Sequence, residues 1–249
     1  MFLLCDVGNT TIEFGVCDNN KILRTFRIKT LDNRSSDEYI VLFKSLLGDV
    51  DFKDVLISSV VPVVTSALVK MFSKYYNIKV HVLGPGIKTG VMIKADNPRE
   101  VGSDLICDVA GSCEYGNDVI VIDLGTATKY IYQHNSTFMG ISIAPGVAIS
   151  MKALTQSAAL LPSIELQTPK TVLCNNTISC MQSGVIYGAA SQVDAMIDRI
   201  VEEIKKPNVK IVATGGLSSI IIPLCKHQII LDNELVLKGL LSIYNKNTK

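Results

Sequence analysis

Two short stretches of the chain carry an aspartate, a glycine and hydroxyl side chains in the same order. The first, DVGNTT, begins at Asp6, and the second, DLGTAT, begins at Asp123, 117 residues later. In each stretch the glycine permits a tight turn and the close approach of a phosphate, and hydroxyl and backbone N–H groups supply donors. An aspartate at the end of a strand also suits Mg²⁺. Either stretch alone is equally typical of a plain hairpin turn, but the two together predict a pair of clamps on a polyphosphate.

A third stretch, ATGGLS, places a Gly-Gly pair after an apolar strand. Such a turn lets a nucleotide lie flat against the backbone, and a helix that begins after it would favour anionic groups at its N-terminus. A tight connection between strand and helix is the structural alternative. The candidate ligands of a nucleotide and its phosphates are therefore Asp6, Gly8, Asn9, Thr10, Asp123, Gly125, Thr126, Thr128, Gly215 and Gly216.

The stretch NPREVGSDLICDVAG contains a candidate general base, Asp104. Pro98 and Gly102 mark a loop, and a helix with an apolar face is predicted to begin at Ser103 or Asp104. An aspartate at this position is either a helix cap, worth about 1 kcal/mol, or a base that accepts the proton of an attacking hydroxyl, as in many kinases. Spacing alone favours the cap. Asp108, one turn later, is predicted to face solvent.

The elements that must position these residues repeat halfway along the chain. Apolar runs separated by turn residues predict an antiparallel meander over the first 30 residues, and the pattern restarts near residue 117 with DVIVIDLG. One helix is predicted over SSDEYIVLFKSLLG, capped by Ser35 or Ser36 and ended by Gly48. Another is predicted over residues 176–206, where apolar residues recur at helical spacing. A duplicated unit of this kind is one way to form a cleft between two similar halves.

Composition limits the classes of partner. The chain has 249 residues, 48% hydrophobic and 19% charged, which suits one large domain or two small ones with a buried core. A net charge of +1 gives no electrostatic reason to expect a nucleic acid or an acidic membrane surface as partner. The apolar stretches fall short of the ~18 residues of a transmembrane helix, and the start of the chain is typical of a buried strand rather than a signal peptide. Seven cysteines without a C-x-x-C pair favour reduced thiols in the cytoplasm.

Taken in order, the motifs resemble those of type III pantothenate kinases, a bacterial family of the acetate/sugar kinase–Hsp70–actin superfamily. The matching stretches span nearly the whole chain: DVGNT, SSVVP, GPGIKTG, NPREVGSD, DLGTAT, APG, NTISCMQSGVIYG, ATGGL and LVLKGLLSIYNKN. The resemblance implies an α/β fold of two duplicated actin-like, RNase H-like halves around a cleft, each a mixed five-stranded sheet with helices. The halves would be residues 1–115 and 116–249, and the final helix would pack back on the first half.

The activity that the resemblance implies is the ATP-dependent phosphorylation of pantothenate to 4'-phosphopantothenate, the first step of coenzyme A biosynthesis. ATP and pantothenate would be the partners, together with a second copy of the chain in a homodimer. Mg²⁺ would be held by Asp6 and Asp123, directly or through water. A monovalent cation, K⁺ or NH₄⁺, is typical of the family.

The residues at pantothenate also follow from the resemblance. Carried over to this chain, Asp104 is the base, and Gly102 and Ser103 lie beside it at the acceptor. Thr177 would reach across the dimer to the pantothenate of the other subunit. These roles add to the interpretation of Asp104 as a base, which spacing alone does not favour.

The chain departs from the family's pattern at four positions: Ala95, Leu105, Lys129 and Ile131. Leu105 stands where the family usually has an arginine, which would clamp the carboxylate of pantothenate, and Ala95 replaces a tyrosine. Three outcomes are open: a basic residue nearby replaces the clamp, with Lys88, Lys94 and Arg99 as candidates; the acceptor differs; or nucleotide binds without efficient catalysis. Intact motifs favour phosphoryl transfer. The alternatives are a kinase for another small hydroxylated metabolite, a phosphatase, or a non-catalytic nucleotide-binding regulator.

The second phosphate motif continues with Lys129 and Ile131, where the family commonly has a threonine and an aspartate that helps to bind potassium. One hypothesis is that the ammonium group of Lys129 stands in for the potassium ion. The alternative is that Lys129 alternates outward on its strand and contacts water. The sequence does not fix the strand register, so both interpretations stay open.

Overall fold

The structure is a computed structural model that describes residues 1–48, 50–158 and 160–248. The strands are β1 Phe2–Val7, β2 Thr11–Asp18, β3 Lys21–Lys29, β4 Val55–Ser59, β5 Val80–Val82, β6 Met92–Ile93, β7 Asp118–Leu124, β8 Ala127–His134, β9 Thr137–Pro145, β10 Lys210–Thr214 and β11 Ile230–Leu231. The α-helices are α1 Ser36–Leu47, α2 Pro62–Tyr75, α3 Ser103–Ser112, α4 Val147–Ser157, α5 Thr177–Ile204, α6 Ser218–Ile221 and α7 Leu235–Asn247. The chain divides into two compact units: unit 1 is Met1–Gly111 with Glu234–Lys249, and unit 2 is Ser112–Asn233.

Unit 1 is built on a mixed sheet in the strand order β3-β2-β1-β4-β5. The first three strands form an antiparallel meander, as predicted, and β4 runs parallel to β1, which places Ser58 beside Asp6 in register. The face covered by α1 and α2 has a core in which the ring of Phe14 stacks on Phe26 and meets the edge of Phe43. The strand that carries the first phosphate motif is therefore held by buried apolar packing.

The helix α1 shows why the sequence signals for this unit are easy to recognise. Ser35, rather than Ser36, caps it: the Glu38 N–H donates to the Ser35 hydroxyl, and the Ser35 N–H donates to the Glu38 carboxylate at 2.7 Å. The helix ends at Gly48, whose φ of +70° favours glycine. Start and end signals of this kind are local, so the predicted boundaries are confirmed.

The other face of the unit 1 sheet is covered by α3 and α7. A methyl group on Gly239 would collide with the carbonyl oxygen of Cys107, and one on Gly111 would collide with that of Leu235, so the two helix backbones are in contact. One prediction for α3 is wrong. Asp108 was expected to face solvent, but it has no exposed surface.

Unit 2 has the same topology, since its own strands lie in the order β11-β10-β7-β8-β9, with an antiparallel meander of β7, β8 and β9 and with β10 parallel to β7. The helix α5 packs its apolar stripe, including Ile186, Val193 and Ile197, into the core, so the face predicted from helical spacing is confirmed. The helix after the Gly-Gly turn, α6, is only four residues long. It is too short to support the predicted anion site at a helix N-terminus.

Both units are mixed sheets with helices, and the predicted α/β fold class is confirmed. The shared strand order also agrees with the repeat between the two aspartate motifs. The first segment of unit 1 ends at Gly111, and α7 also belongs to unit 1. The domain boundary between residues 115 and 116 and the cleft between the halves stay predictions. Among the described helices, none has the length and apolar character needed to cross a membrane.

Candidate functional site

The first phosphate motif forms the turn between β1 and β2. The Gly8 N–H donates to the Thr11 carbonyl oxygen at 3.0 Å, and the Thr30 hydroxyl donates to the Gly8 carbonyl oxygen at 2.6 Å. Asn9 and Thr10 lie exposed at the tip of the turn. The hairpin and the phosphate interpretation are therefore compatible, because the bonds that close the hairpin leave these two residues at the surface.

Hydrogen bonds connect this motif to the start of α3. The Ser58 hydroxyl, which has no exposed surface, donates to Oδ1 of Asp6 at 2.8 Å and lies 3.1 Å from the Ser103 hydroxyl oxygen. The Ser103 hydroxyl accepts from the Ser59 N–H at 3.0 Å and donates to the Ser59 carbonyl oxygen at 3.0 Å. Burial raises the pKa of the neighbouring Cys107 thiol well above its usual range, with a smaller contribution from the charge of Asp6. That thiol therefore stays protonated.

Asp104 lies in the first turn of α3, directly after Ser103. A methyl group on Gly102 would collide with Oδ1 of Asp104, so glycine at 102 leaves room for the carboxylate where it is. The Gly102 carbonyl oxygen accepts from the Ile106 N–H at 3.2 Å, the first bond of the helix. The structure thus brings Gly102, Ser103 and Asp104 together, and their roles stay predictions.

The second phosphate motif contains an ion pair with little exposed surface. Asp123 of β7 and Lys129 of β8 are opposite each other in the antiparallel register, and Nζ of Lys129 lies 2.7 Å from Oδ2 of Asp123. The Lys129 and Asp123 side chains are 16% and 13% exposed. The interpretation in which Lys129 contacts only water is therefore wrong. Ile131, which stands where the family commonly has an aspartate, is fully buried.

Two glycines pack neighbouring segments directly against this motif. Gly215 has a φ of +97°, and a methyl group there would lie 2.7 Å from Oδ1 of Asp123. A methyl group on Gly146, in the APG stretch, would collide with the Thr126 carbonyl oxygen. Gly216 differs, because a methyl group there would meet no described atom within 4 Å. The Gly-Gly turn therefore lies against the second motif and leaves space above Gly216.

The remaining residues of the second motif differ in exposure. The Gly125 N–H donates to the Ala127 carbonyl oxygen at 3.2 Å, which closes the turn between β7 and β8, and Thr126 is exposed in that turn. Thr128 is only 2% exposed, and its hydroxyl lies 3.5 Å from the Pro145 carbonyl oxygen. The roles of these three residues at phosphate stay predictions.

The two aspartates differ in how well they fit the Mg²⁺ that the resemblance implies. The Asp123 carboxylate carries the Lys129 ammonium on Oδ2 and faces Gly215 with Oδ1, so its charge is already balanced within unit 2. Asp6 is half-buried next to an exposed turn and accepts a neutral hydroxyl. Within the described residues, no three His, Cys, Asp or Glu side chains form a metal cluster. Mg²⁺ usually takes its remaining ligands from water and phosphate, and Asp6, beside the exposed turn, fits it better than Asp123.

The departures at the acceptor side lie near exposed basic residues in sequence. Ala95 and Leu105 are both half-buried, and neither offers a donor to a carboxylate. Lys88, Lys94 and Arg99 are exposed in unit 1. The replacement of the arginine clamp by one of them stays a prediction.

Thr177 is the first residue of α5 and is exposed. The side chain of Asn176 caps the helix by accepting from the Ser179 N–H at 3.0 Å. The segment before the helix carries two strongly exposed leucines, since Leu160 is 95% and Leu173 is 91% exposed. Large apolar side chains of this kind often mark interaction surfaces when they cluster.

Sequence reasoning missed Ser58, which appears above only within the SSVVP stretch. The signal that could have found it is a hydroxyl at the end of an apolar strand, within the SSVVP stretch. Its partners are distant in sequence, because Asp6 is 52 residues before it and Ser103 is 45 residues after it.

Comparisons with known proteins agree over the length of the chain. The model of the type III pantothenate kinase family matches residues 2–199. A type III pantothenate kinase of Acholeplasma laidlawii is 47% identical over 249 residues, covering 100% of both chains. One of Geobacillus kaustophilus is 43% identical over 256 aligned positions, covering 100% of this chain and 99% of the other. In fold alone, component A of the (R)-2-hydroxyglutaryl-CoA dehydratase of Acidaminococcus fermentans is similar, with a TM-score of 0.56 and 14% identity over 100% of this chain and 99% of that one.

Proposed function

Because this chain belongs to the type III pantothenate kinase family, we propose that it phosphorylates pantothenate to 4'-phosphopantothenate with ATP, the first step of coenzyme A biosynthesis. The full-length similarity to type III pantothenate kinases is the observation that carries this proposal. The arrangement in unit 1 supports it, because hydrogen bonds through Ser58 link the first phosphate motif to the turn that holds Asp104.

Asp104 is the proposed general base. The pantothenate hydroxyl oxygen attacks the γ-phosphorus of ATP while the Asp104 carboxylate accepts the hydroxyl proton. A bond forms between that oxygen and phosphorus, the bond from phosphorus to the bridging oxygen breaks, and ADP leaves. A positioned base of this kind contributes about 10²–10⁴-fold to the rate. Gly102 and Ser103 position this turn at the acceptor.

The two motifs are the proposed contacts of the ATP phosphates. In unit 1 the exposed turn residues Asn9 and Thr10 donate to phosphate oxygens, and Asp6 holds Mg²⁺ directly or through water. Bound Mg²⁺ offsets the negative charge of the phosphate oxygens. In unit 2 the turn of the second motif donates to phosphate, and Gly215 and Gly216 offer the nucleotide a flat backbone surface. The Lys129 ammonium supplies a fixed positive charge, so no added K⁺ or NH₄⁺ is needed.

The acceptor is the part of this proposal that needs its own experiment. We expect wild-type protein with Mg-ATP and pantothenate to yield phosphopantothenate, detected by mass, with equimolar ADP. Leu105 removes the usual bidentate contact to the pantothenate carboxylate, and this favours a kinase for another small hydroxylated metabolite as the second candidate. Transfer to another acceptor but not to pantothenate would select that candidate. ATP binding without transfer to any acceptor would select the nucleotide-binding regulator.

A homodimer is the proposed assembly, in the cytoplasm, with Thr177 contributing to the pantothenate site of the other subunit. Support comes from the exposed Leu160 and Leu173, which precede Thr177 on the same unit. Sedimentation velocity should give twice the mass of 27.0 kDa, and Leu173→Glu should shift the protein toward monomer because a charge opposes burial. A monomeric wild type at micromolar concentration would contradict the dimer.

A further inference from the structure

Ser58 is a buried hydroxyl whose side-chain partners belong to two different candidate site segments. Its oxygen lies 2.8 Å from Oδ1 of Asp6 in the first phosphate motif and 3.1 Å from the hydroxyl oxygen of Ser103 at the start of α3. The residue has no exposed surface, and its neighbour in the β-sheet register is Asp6 itself. The rigid core on both faces of this sheet therefore fixes where the hydroxyl sits.

Hydrogen bonds connect the members of this cluster to one another. A carboxylate only accepts hydrogen bonds, so the single proton of Ser58 goes to Asp6. The Ser58 hydroxyl also lies 3.1 Å from the Ser103 hydroxyl oxygen, and the Ser103 hydroxyl donates to the Ser59 carbonyl oxygen at 3.0 Å. The Ser59 N–H completes the chain by donating to Ser103. The bonds thus run from the β4 backbone through Ser103 and Ser58 to the Asp6 carboxylate.

We propose that Ser58 is a positioning residue, which orients the Asp6 carboxylate for the magnesium–nucleotide complex and couples it to the turn that carries Asp104. The inference rests on the proposed function for the roles of Asp6 and Asp104. Ser183, a second buried hydroxyl, has a different pattern of contacts. Ser183 is 3% exposed and donates to the backbone carbonyl oxygen of Val172.

Ser58→Ala tests the proposal through magnesium dependence, because the variant removes the donor to Asp6 and leaves the contacts between Ser59 and Ser103. Binding of a non-hydrolysable ATP analogue is measured by calorimetry over a series of Mg²⁺ concentrations. The Mg²⁺ concentration at half-maximal binding should rise about tenfold, the effect of one lost bond to a charged group. In the kinase assay kcat should fall while the KM for pantothenate changes less. Ser58→Cys, which keeps the shape with a weaker donor, should shift the midpoint in the same direction.

Ser183→Ala is the matched control, since it also removes a buried hydroxyl and should lower the melting temperature without moving the Mg²⁺ midpoint. Combining Ser58→Ala with Ser103→Ala should cost less than the product of the two single effects, because both cut the same chain of bonds. Folded Ser58 variants with a wild-type Mg²⁺ midpoint would overturn the proposal. So would unfolding of both Ser58 variants, which assigns the hydroxyl a structural role. If wild type forms no phosphopantothenate but the midpoint still shifts, the proposed function fails, and the positioning of Asp6 by Ser58 stands without it.

Discussion

Replacing Asp104 with asparagine is expected to lower kcat for phosphopantothenate formation by about 10³-fold. Asparagine keeps the size and shape of the side chain, but its amide does not accept a proton at neutral pH. Nucleotide affinity should stay within about twofold of wild type, because the carboxylate acts on the acceptor rather than on ATP. Phosphopantothenate is measured by mass and ADP by a coupled assay. Two independent products keep slow ATP hydrolysis from being mistaken for transfer.

Gly102→Ala separates the position of that carboxylate from its charge. The new methyl group would collide with Oδ1 of Asp104, and Gly102 does not adopt a positive φ, so the carboxylate moves while the backbone need not. A displaced base should lower kcat by roughly 10–100-fold. The double variant Gly102→Ala with Asp104→Asn should be no slower than Asp104→Asn alone, because moving the side chain at 104 has no further effect once it is no longer a base.

Asp96→Asn is the control for charge, since Asp96 is exposed in the loop that precedes Asp104. It removes the same unit of negative charge and should leave kcat unchanged. If Asp104→Asn kept more than about a tenth of wild-type kcat, a general-base role worth 10²–10⁴-fold would be excluded. Asp104 would then act only as an acidic residue in the first turn of α3, where a carboxylate contributes about 0.3–1 kcal/mol to the free energy of unfolding.

The parts of the structure that the sequence predicts well are those decided by neighbouring residues. The capping box at Ser35 and the glycine that ends α1 are contained within fourteen residues, from Ser35 to Gly48. The apolar stripe of α5 follows from a period of 3.6 residues, and the two meanders follow from apolar runs broken by turn residues. In each case a short window of the chain contains both the signal and its structural partner.

Several residues were misjudged or missed because their surroundings depend on parts of the chain far away in sequence. The helix α3 is in backbone contact with α7, more than 120 residues later, at Gly111 and Gly239, and Asp108 on α3 has no exposed surface. Ser58 gains its partners from a parallel pairing between β1 and β4 and from Ser103, the first residue of α3. The environment of Lys129 depended on strand register, because a slip by one residue would have reversed the face on which its side chain lies.

Removing the ammonium group with Lys129→Ala is expected to lower kcat/KM for ATP by about 100-fold, the effect of one lost charged contact to the transferring phosphoryl group. The ion pair with Asp123 has little exposed surface, so the variant should also lose about 3 kcal/mol in the free energy of unfolding. The measurements are ATP kinetics and chemical unfolding of the same preparation. Lys206→Ala is the matched control, since Lys206 pairs with Asp118 at 3.5 Å on the surface of the same unit. Its kinetics should be unchanged.

The dependence of activity on monovalent cations, compared between wild type and Lys129→Ala, tests whether Lys129 stands in for a potassium ion. Wild type should be equally active in sodium or Tris buffer and in potassium buffer, because the positive charge is covalently attached. In Lys129→Ala the side chain beyond Cβ is gone, and NH₄⁺ or K⁺ at about 0.1 M should restore part of the lost activity by mass action. A strict potassium requirement in wild type would contradict the hypothesis.

The double variant Lys129→Ala with Asp123→Asn separates two physical roles of the ammonium group. If Lys129 only balances the Asp123 carboxylate, removing both charges should restore ATP kinetics, because no uncompensated charge is left in the second motif. If the ammonium group also acts on the phosphates, the double variant should stay as slow as Lys129→Ala, although its stability recovers. We expect the second result, since Lys129 is three residues after the exposed Thr126 and carries the positive charge of this motif. Recovery of stability together with full activity would limit Lys129 to a structural role.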